Sequence, residues 1–127
     1  MPKTLGTKIK KREVMYDDIV NKINKGNYVE AEIICKDLIK KNKKNSDYFY
    51  LLGLIYLKTK KFDQSSIFFS KAIKINKKID YFFAYAEALV KNNHLDEAIK
   101  AYESIISIDK NNEPTLVNLS HTYFLIE

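Results

Sequence analysis

The sequence predicts an all-α fold, an α-solenoid of helix–turn–helix repeats, on three observations. Apolar residues recur at helical spacing in successive segments of the 127-residue chain. One frame of large and small residues returns every 33 or 34 positions. The chain is 46% apolar and 30% charged with only three Gly and two Pro, the balance of an ordered, helix-rich domain.

Each element follows from that frame. A first helix over about residues 13–25 opens weakly, with Asp18, Ile19 and Lys22 where later units have Leu, a small residue and Tyr. Gly26 suits the left-handed turn after it, and the basic segment 1–12 before it reads as flexible. A second helix, about 28–41, carries Ala31-x3-Cys35 and Leu38. The third, about 46–59, holds Phe49-x2-Leu52-Gly53-x2-Tyr56, with Ser46 and Asp47 as caps. The fourth, about 62–76, holds Ser65-x3-Phe69 and Ala72, with Asp63 at its start. Phe82-x2-Tyr85-Ala86-x2-Leu89 defines the fifth, about 79–92, and Asn93 the turn after it. Ala98-x3-Tyr102 and Ile105 define the sixth, about 95–109, with Asp96 near its N-terminus. Leu116-x2-Leu119-Ser120-x2-Tyr123 opens a seventh, about 113–127.

This pattern resembles the tetratricopeptide repeat over about residues 13–127. The resemblance implies a right-handed superhelix of three units, about 12–45, 46–78 and 79–112, plus the first helix of a fourth, 113–127. Small residues such as Gly53, Ala86, Ala31 and Ala98 fall where helices approach closely, and Tyr56, Phe69 and Tyr102 fill the space between. The family often closes each unit with proline; here Lys43, Lys77 and Lys110 stand in that place, which predicts less sharply stopped helices. Lys60, in the turn position of Gly26 and Asn93, is a further departure.

In the family the first helix of each unit lines a concave groove that holds a peptide or protein segment. By helical spacing the corresponding residues are Tyr16 and Val20, then Asp47, Tyr50 and Leu54, then Asp80, Phe83 and Glu87, and His121 on the last helix; Glu13, Ile23, Leu57, Val90, Val117 and Phe124 extend the same faces. An aromatic row, Tyr16, Tyr50 and Phe83, then runs beside an acidic row, Glu13, Asp47 and Asp80, which suits an apolar or amphipathic segment with basic residues. Equally, the aromatics could pack only against neighbouring first helices. Some family members grip acidic chaperone tails with groove Lys, Asn and Arg. Tyr16, Val20, Leu51, Asp80 and Ala84 occupy those places here, so that clamp is not expected.

No nucleophile–base pair, phosphate loop or metal-ligand spacing is present, which argues against an enzyme and against a metal or cofactor. His94 reads as a solvated turn residue, His121 as a polar groove residue and Cys35 as core. The net charge is +6, but Arg12 is the only arginine. The lysines at 40, 41, 43 and 44 and at 71, 74, 77 and 78 gather at the ends of second helices, where they complement the helix dipole; nucleic acid is the electrostatic alternative. No secretory signal or membrane-spanning run is visible, and a cytoplasmic protein is expected.

The function read from this is a protein-interaction scaffold that binds in its groove or at its C-terminal end. The alternatives are a targeting or oligomerisation segment of a larger enzyme and a nucleic-acid-associated protein. At the C-terminal end Leu116, Leu119, Tyr123 and Ile126 leave an apolar face open. The chain is accordingly expected to continue past Glu127 with another repeat, and to self-associate through this helix.

Overall fold

The computed structural model describes residues 5–127 and, within the first helix, side chains from Met15 onward. Among the described residues the elements are α1 (Leu5–Asn24), α2 (Tyr28–Lys41), α3 (Ser46–Lys58), α4 (Phe62–Ile75), α5 (Ile79–Lys91), α6 (Leu95–Ile108) and α7 (Glu113–Ile126), with no strand. Neighbours in sequence are neighbours in space. First helices pack on second helices within a unit, second helices pack on the next first helix, and α3 also touches α1 and α5. This is an all-α helical-repeat solenoid.

From Tyr28 onward the helix ends fall within a residue of those the sequence predicts. α1 differs. It begins at Leu5 rather than near 13, since Lys8 to Met15 are mostly strong helix formers with no breaker among them. The segment expected to be flexible is therefore helical from Leu5, and residues 1–4 lie outside the described ones.

All three turns within units are built alike. Gly26, Lys60 and Asn93 take positive φ of 79°, 63° and 61°. After each, the next N–H closes a six-residue loop: Asn27 to the Lys22 carbonyl, Lys61 to Tyr56 and His94 to Leu89, each at 2.8 Å. This double-bonded helix end uses a left-handed residue to satisfy carbonyls that the helix leaves unpaired. Lys60 thus follows its neighbours in spite of its Cβ.

Between units the stop is a residue that leaves the helical region, Asn42, Asn76 or Asp109, with φ of −138°, −148° and −136°, and Asn76 and Asp109 are extended. No proline is needed there, and α2, α4 and α6 end cleanly at Lys41, Ile75 and Ile108. The Asn42 amide also donates to the Leu38 carbonyl at 3.2 Å. Asn45, not Ser46 or Asp47, caps α3, its side chain accepting from the Asp47 N–H at 3.0 Å. Ser46 is committed elsewhere, within 2.9 Å of the Tyr81 hydroxyl.

The core repeats with the frame. Ala31, Ser65 and Ala98 are fully buried on the second helices, as are Phe69 and, almost fully, Tyr102 one turn later. The closest approach is at Gly53, where an added Cβ would lie 2.5 Å from Phe69 Cε1 and 2.6 Å from Cδ1. Ala86 and Tyr102 hold the same places in the third unit, within one cluster. The first unit reverses the volumes: Ile19 takes the place of Gly53 and Cys35 that of Phe69, and both are fully buried. The Cys35 thiol donates to the Tyr48 carbonyl at 3.0 Å, and burial pushes its pKa up to about 12, consistent with a core role.

Two stability outcomes follow from these contacts. Gly53→Ala should lower the urea midpoint by an amount equivalent to about 1–3 kcal/mol, with Gly53→Leu worse, because the ring of Phe69 is locked in the core. A Phe69→Leu background should shrink the penalty; an unchanged midpoint for Gly53→Ala would contradict the close approach. Lys60→Gly should raise stability by about 1 kcal/mol, because glycine takes the left-handed conformation without a Cβ clash. A lower melting temperature for Lys60→Gly would contradict strain at that turn.

Candidate functional site

The expected groove residues come from α1, α3, α5 and α7, and their surroundings divide them. Tyr16 and Val20 are half-buried and pack against the first core cluster, as does Leu54, which also reaches the third. The Tyr50 ring centroid is 4.9 Å from Tyr81 and 5.8 Å from Phe69. Phe83 meets Tyr102 edge-on at 6.0 Å. Each aromatic of the row thus has one side in the core and one side at the surface. Ile23 is buried rather than surface-lining, as are Leu51 and Ala84, while Leu57 and Val90 are half-buried and Val117 and Phe124 exposed. The Glu13 side chain lies outside the described residues.

The carboxylates differ among themselves. Asp47 accepts a short hydrogen bond from the Tyr81 hydroxyl and pairs with Lys78 Nζ at 3.3 Å, so it ties the second unit to the third. Since Tyr81 donates to Asp47, the Ser46 hydroxyl is the donor to Tyr81. Burial, then the bond to Asp47, pushes the Tyr81 pKa well up. Asp80 is exposed, with no ion-pair partner among the described residues. Glu87 is half-buried, and burial raises its pKa against the opposing pull of Lys91 and Lys58.

The causes of the tyrosine pKa shifts show which carboxylates act on which rings. Burial and then the charges of Asp47, Asp80 and Asp17 raise the Tyr16 pKa. Burial and then Asp80, Tyr16, Glu87 and Asp47 push Tyr50 up to about 12. Burial and then Glu87 push Tyr102 up to about 12, while a hydrogen bond from Asn118 acts the other way. Tyrosines from α1 and α3 therefore stand in the field of carboxylates from α3 and α5. Farther along, Glu87, Val90, Lys91, Tyr102, Asn118 and His121 line a cleft of about 370 Å³. Asn118 and the Tyr102 hydroxyl escaped the sequence reading, since the repeat frame marks Tyr102 only as core.

At the C-terminal end Leu116, Tyr123 and Ile126 are exposed, while Leu119 is half-buried against the α5–α6 cluster. The Tyr123 hydroxyl donates to Glu103 at 3.0 Å. Part of the lysine edge is paired: Lys41 with Asp37 at 3.1 Å, one helical turn apart, and Lys78 with Asp47 at 3.3 Å. Lys71 Nζ lies 4.9 Å from the Phe68 ring centre. His94 is exposed in its turn. Among the described residues no three His, Cys, Asp or Glu side chains converge as metal ligands, and no helix is long and apolar enough to cross a membrane.

A family model described as anaphase-promoting complex, cyclosome, subunit 3 matches residues 24–105. No curated protein matches the sequence. Among solved structures, the first TPR of Spaghetti (RPAP3) bound to the HSP90 peptide SRMEEVD superposes with a TM-score of 0.85 at 19% identity, covering 92% of this chain and 94% of that one. The Yersinia enterocolitica type III secretion chaperone SycD, in complex with a peptide of the translocator YopD, gives 0.83 at 19% identity, covering 93% and 96%. The second TPR domain of human RPAP3, in complex with the HSP70 peptide SGPTIEEVD, gives 0.80 at 19%, covering 86% and 92%. At that identity the likeness establishes the fold.

Glu87 gives the site a measurable pH signature. Its folded pKa is raised, so the ionised form disfavours folding, and the stability held below the ordinary glutamate value of 4.5 is lost as pH rises through the folded value. Glu87→Gln should therefore raise the melting temperature at pH 7 and leave it unchanged at pH 3.5 or below. Equal effects at both pH values would mean that the carboxylate is not desolvated.

Proposed function

Because the chain belongs to the anaphase-promoting complex, cyclosome, subunit 3 family, a tetratricopeptide-type family, we propose that it is a non-catalytic protein-interaction module whose first-helix face holds a polypeptide segment with apolar and basic side chains. What supports this reading is that Tyr16 and Tyr50, each with its ring partly buried and partly at the surface, lie in the field of Asp47 and Asp80, with Glu87 also acting on Tyr50. Rings of this kind supply rigid contact area, and the carboxylates favour a cation over an anion. Tyr16, Val20, Asp47, Tyr50, Leu54, Asp80, Phe83, Glu87 and His121 are the residues assigned to contact the segment. The two RPAP3 domains hold the acidic peptides SRMEEVD and SGPTIEEVD. Carboxylates at Asp80 and Glu87 would repel such ligands, which supports a different specificity on the same scaffold.

Selection from a random peptide library against the 127-residue chain tests this reading. Enriched sequences should be rich in Lys or Arg and in apolar residues, and SRMEEVD should not bind. Asp80→Asn should weaken the best of them several-fold with at most a small fall in melting temperature, since Asp80 lies in the first turn of α5 and its carboxylate also meets the helix dipole there. Enrichment of acidic peptides, or affinity indifferent to Asp80 and Glu87, would overturn the reading.

A further inference from the structure

The repeat allows one step of the solenoid to be compared with the next. Where α3, α4 and α5 meet, Leu54 packs on Phe69, Ala84 and Ala88 in an apolar cluster, with Phe69 and Ala88 fully buried and Ala84 6% exposed. One unit farther on, where α5, α6 and α7 meet, the same four places hold Glu87, Tyr102, Asn118 and Thr122. Each of the four apolar groups has become a polar one, and all four polar groups line the cleft of about 370 Å³. Three of them satisfy one another. The Thr122 hydroxyl donates to the Asn118 carbonyl at 2.7 Å, and the Asn118 side chain is hydrogen-bonded to the Tyr102 hydroxyl. Glu87 differs, because among the described residues no group donates to its half-buried carboxylate. Lys91 and Lys58 act on it through their charge alone, and neither reaches ion-pair distance.

The polar groups select a cation. Lys91 also lines the cleft, but it is exposed, and Lys58 holds the same place beside the apolar cluster one unit earlier. In both helices this lysine lies in the last turn, where it complements the dipole, so it is a feature of the helix end and not of the cleft. What distinguishes this step is the Glu87 carboxylate, with phenolic and amide oxygens of α6 and α7 at the same opening. Acceptors from three helices suit a group that donates in several directions, and Val90 offers an apolar wall to its stem. An anion would be repelled by the carboxylate. The volume, at the low end for small-ligand sites, admits one side chain rather than a helix. Resting on the first-helix face as a polypeptide-binding surface, we propose that the cleft between α5, α6 and α7 is its anchoring subsite. It seats one basic side chain of the bound segment, with Glu87 as the counter-ion.

Acetyl-arginine amide serves as the probe, and acetyl-citrulline amide, which has the same shape without the charge, as its control. Each is titrated into the isotope-labelled 127-residue chain and followed by amide chemical shifts. At high millimolar concentration, as befits so small a ligand, the arginine amide should shift Glu87, Val90, Asn118 and His121. The citrulline amide should bind at least about fivefold more weakly, the difference expected between a charge-assisted and a neutral hydrogen bond. Glu87→Gln should weaken the arginine amide by a similar factor while raising the melting temperature at pH 7, so that lost binding cannot be ascribed to unfolding. Glu87→Leu combined with Asn118→Ala restores the Leu54 and Ala84 pair of the preceding unit, and should abolish the shifts in a folded chain. Lys91→Gln should tighten binding about twofold at low salt, because it removes an exposed like charge. Equal binding of the two amides, shifts unaltered by Glu87→Gln, or no shift in the cleft would overturn the proposal. A library-selected peptide separates the subsite from the broader reading. If Asp80→Asn weakens that peptide and neither cleft variant does, the subsite is wrong and the groove stands. If no peptide is selected while the arginine amide still shifts the cleft in a Glu87-dependent way, the cation site stands and the groove reading falls.

Discussion

The contact on which the rest of the structure depends is the one between a small residue on a first helix and a large one on the second, seen most sharply at Gly53 and Phe69. With no Cβ at Gly53, the Phe69 ring sits directly against the α3 backbone, and the ring is fully buried there. That approach fixes the separation of the two helices. The link between them can then be very short: α3 ends at Lys58, α4 starts at Phe62, and the single left-handed residue Lys60 reverses the chain. Helices of 13 and 14 residues are marginal alone in water, so each depends on such contacts for its existence. The first unit reaches the same end with the volumes exchanged, Ile19 facing outward from α1 and Cys35 receding on α2. What the fold conserves from unit to unit is the summed volume at this crossing rather than the identity of either residue.

A second constraint sets how one unit sits on the next. Ser46, Asp47, Tyr81 and Lys78 form a polar junction at the N-terminal ends of α3 and α5, and the Tyr81 ring packs at a tilt against Tyr50. Apolar stacking alone is non-directional, but hydrogen bonds fix an angle. The junction therefore governs the rotation of α5 against α3, and with it the spacing between Tyr50 and Asp80 on the candidate binding face. On the proposed reading Asp47 would contribute less to a ligand than Asp80, because a carboxylate already holding a hydroxyl and an ammonium has less of its field left to offer.

Most of the architecture was legible in the sequence because the period and the apolar spacing agree in every unit, so that each helix was specified twice over. The exceptions share a physical cause, competition between a local preference and a tertiary demand. Lysine has little tendency toward positive φ, yet the turn after α3 requires it at Lys60, and the units on either side hold the geometry. Ser46 and Asn45 are equally good capping types, but the Ser46 hydroxyl is engaged by Tyr81 and Asn45 caps the helix. For the candidate site, helical spacing identified the stripe but not its width. A first helix in a stack has neighbours on both flanks, so Ile23, Leu51 and Ala84 are drawn into the core and only the centre of the stripe stays open. The cleft beside Glu87 was not legible because Asn118 belongs to a helix two elements away, and nothing in a linear frame brings Asn118 and Glu87 together.

The total charge is a poor guide to what this surface binds, and the reason is the range of electrostatic forces. Screening confines the influence of an exposed charge to roughly 8–10 Å at moderate ionic strength. A ligand on the first-helix face would therefore respond to Asp80 and Glu87, and to Lys78 beside Asp47, but little to the lysines farther along the second helices. Among those lysines Lys41 pairs with Asp37 and Lys71 lies over the Phe68 ring. A chain of net +6 can in this way present an acidic face. Glu87 makes the point most directly: its carboxylate is half-buried at a cost to the fold that neighbouring lysines only partly offset. A glutamine would fit the same space without that penalty. A destabilising charge at the edge of a solvent-accessible cleft makes physical sense if a cation arrives to meet it, because binding would then restore the solvation that folding removed.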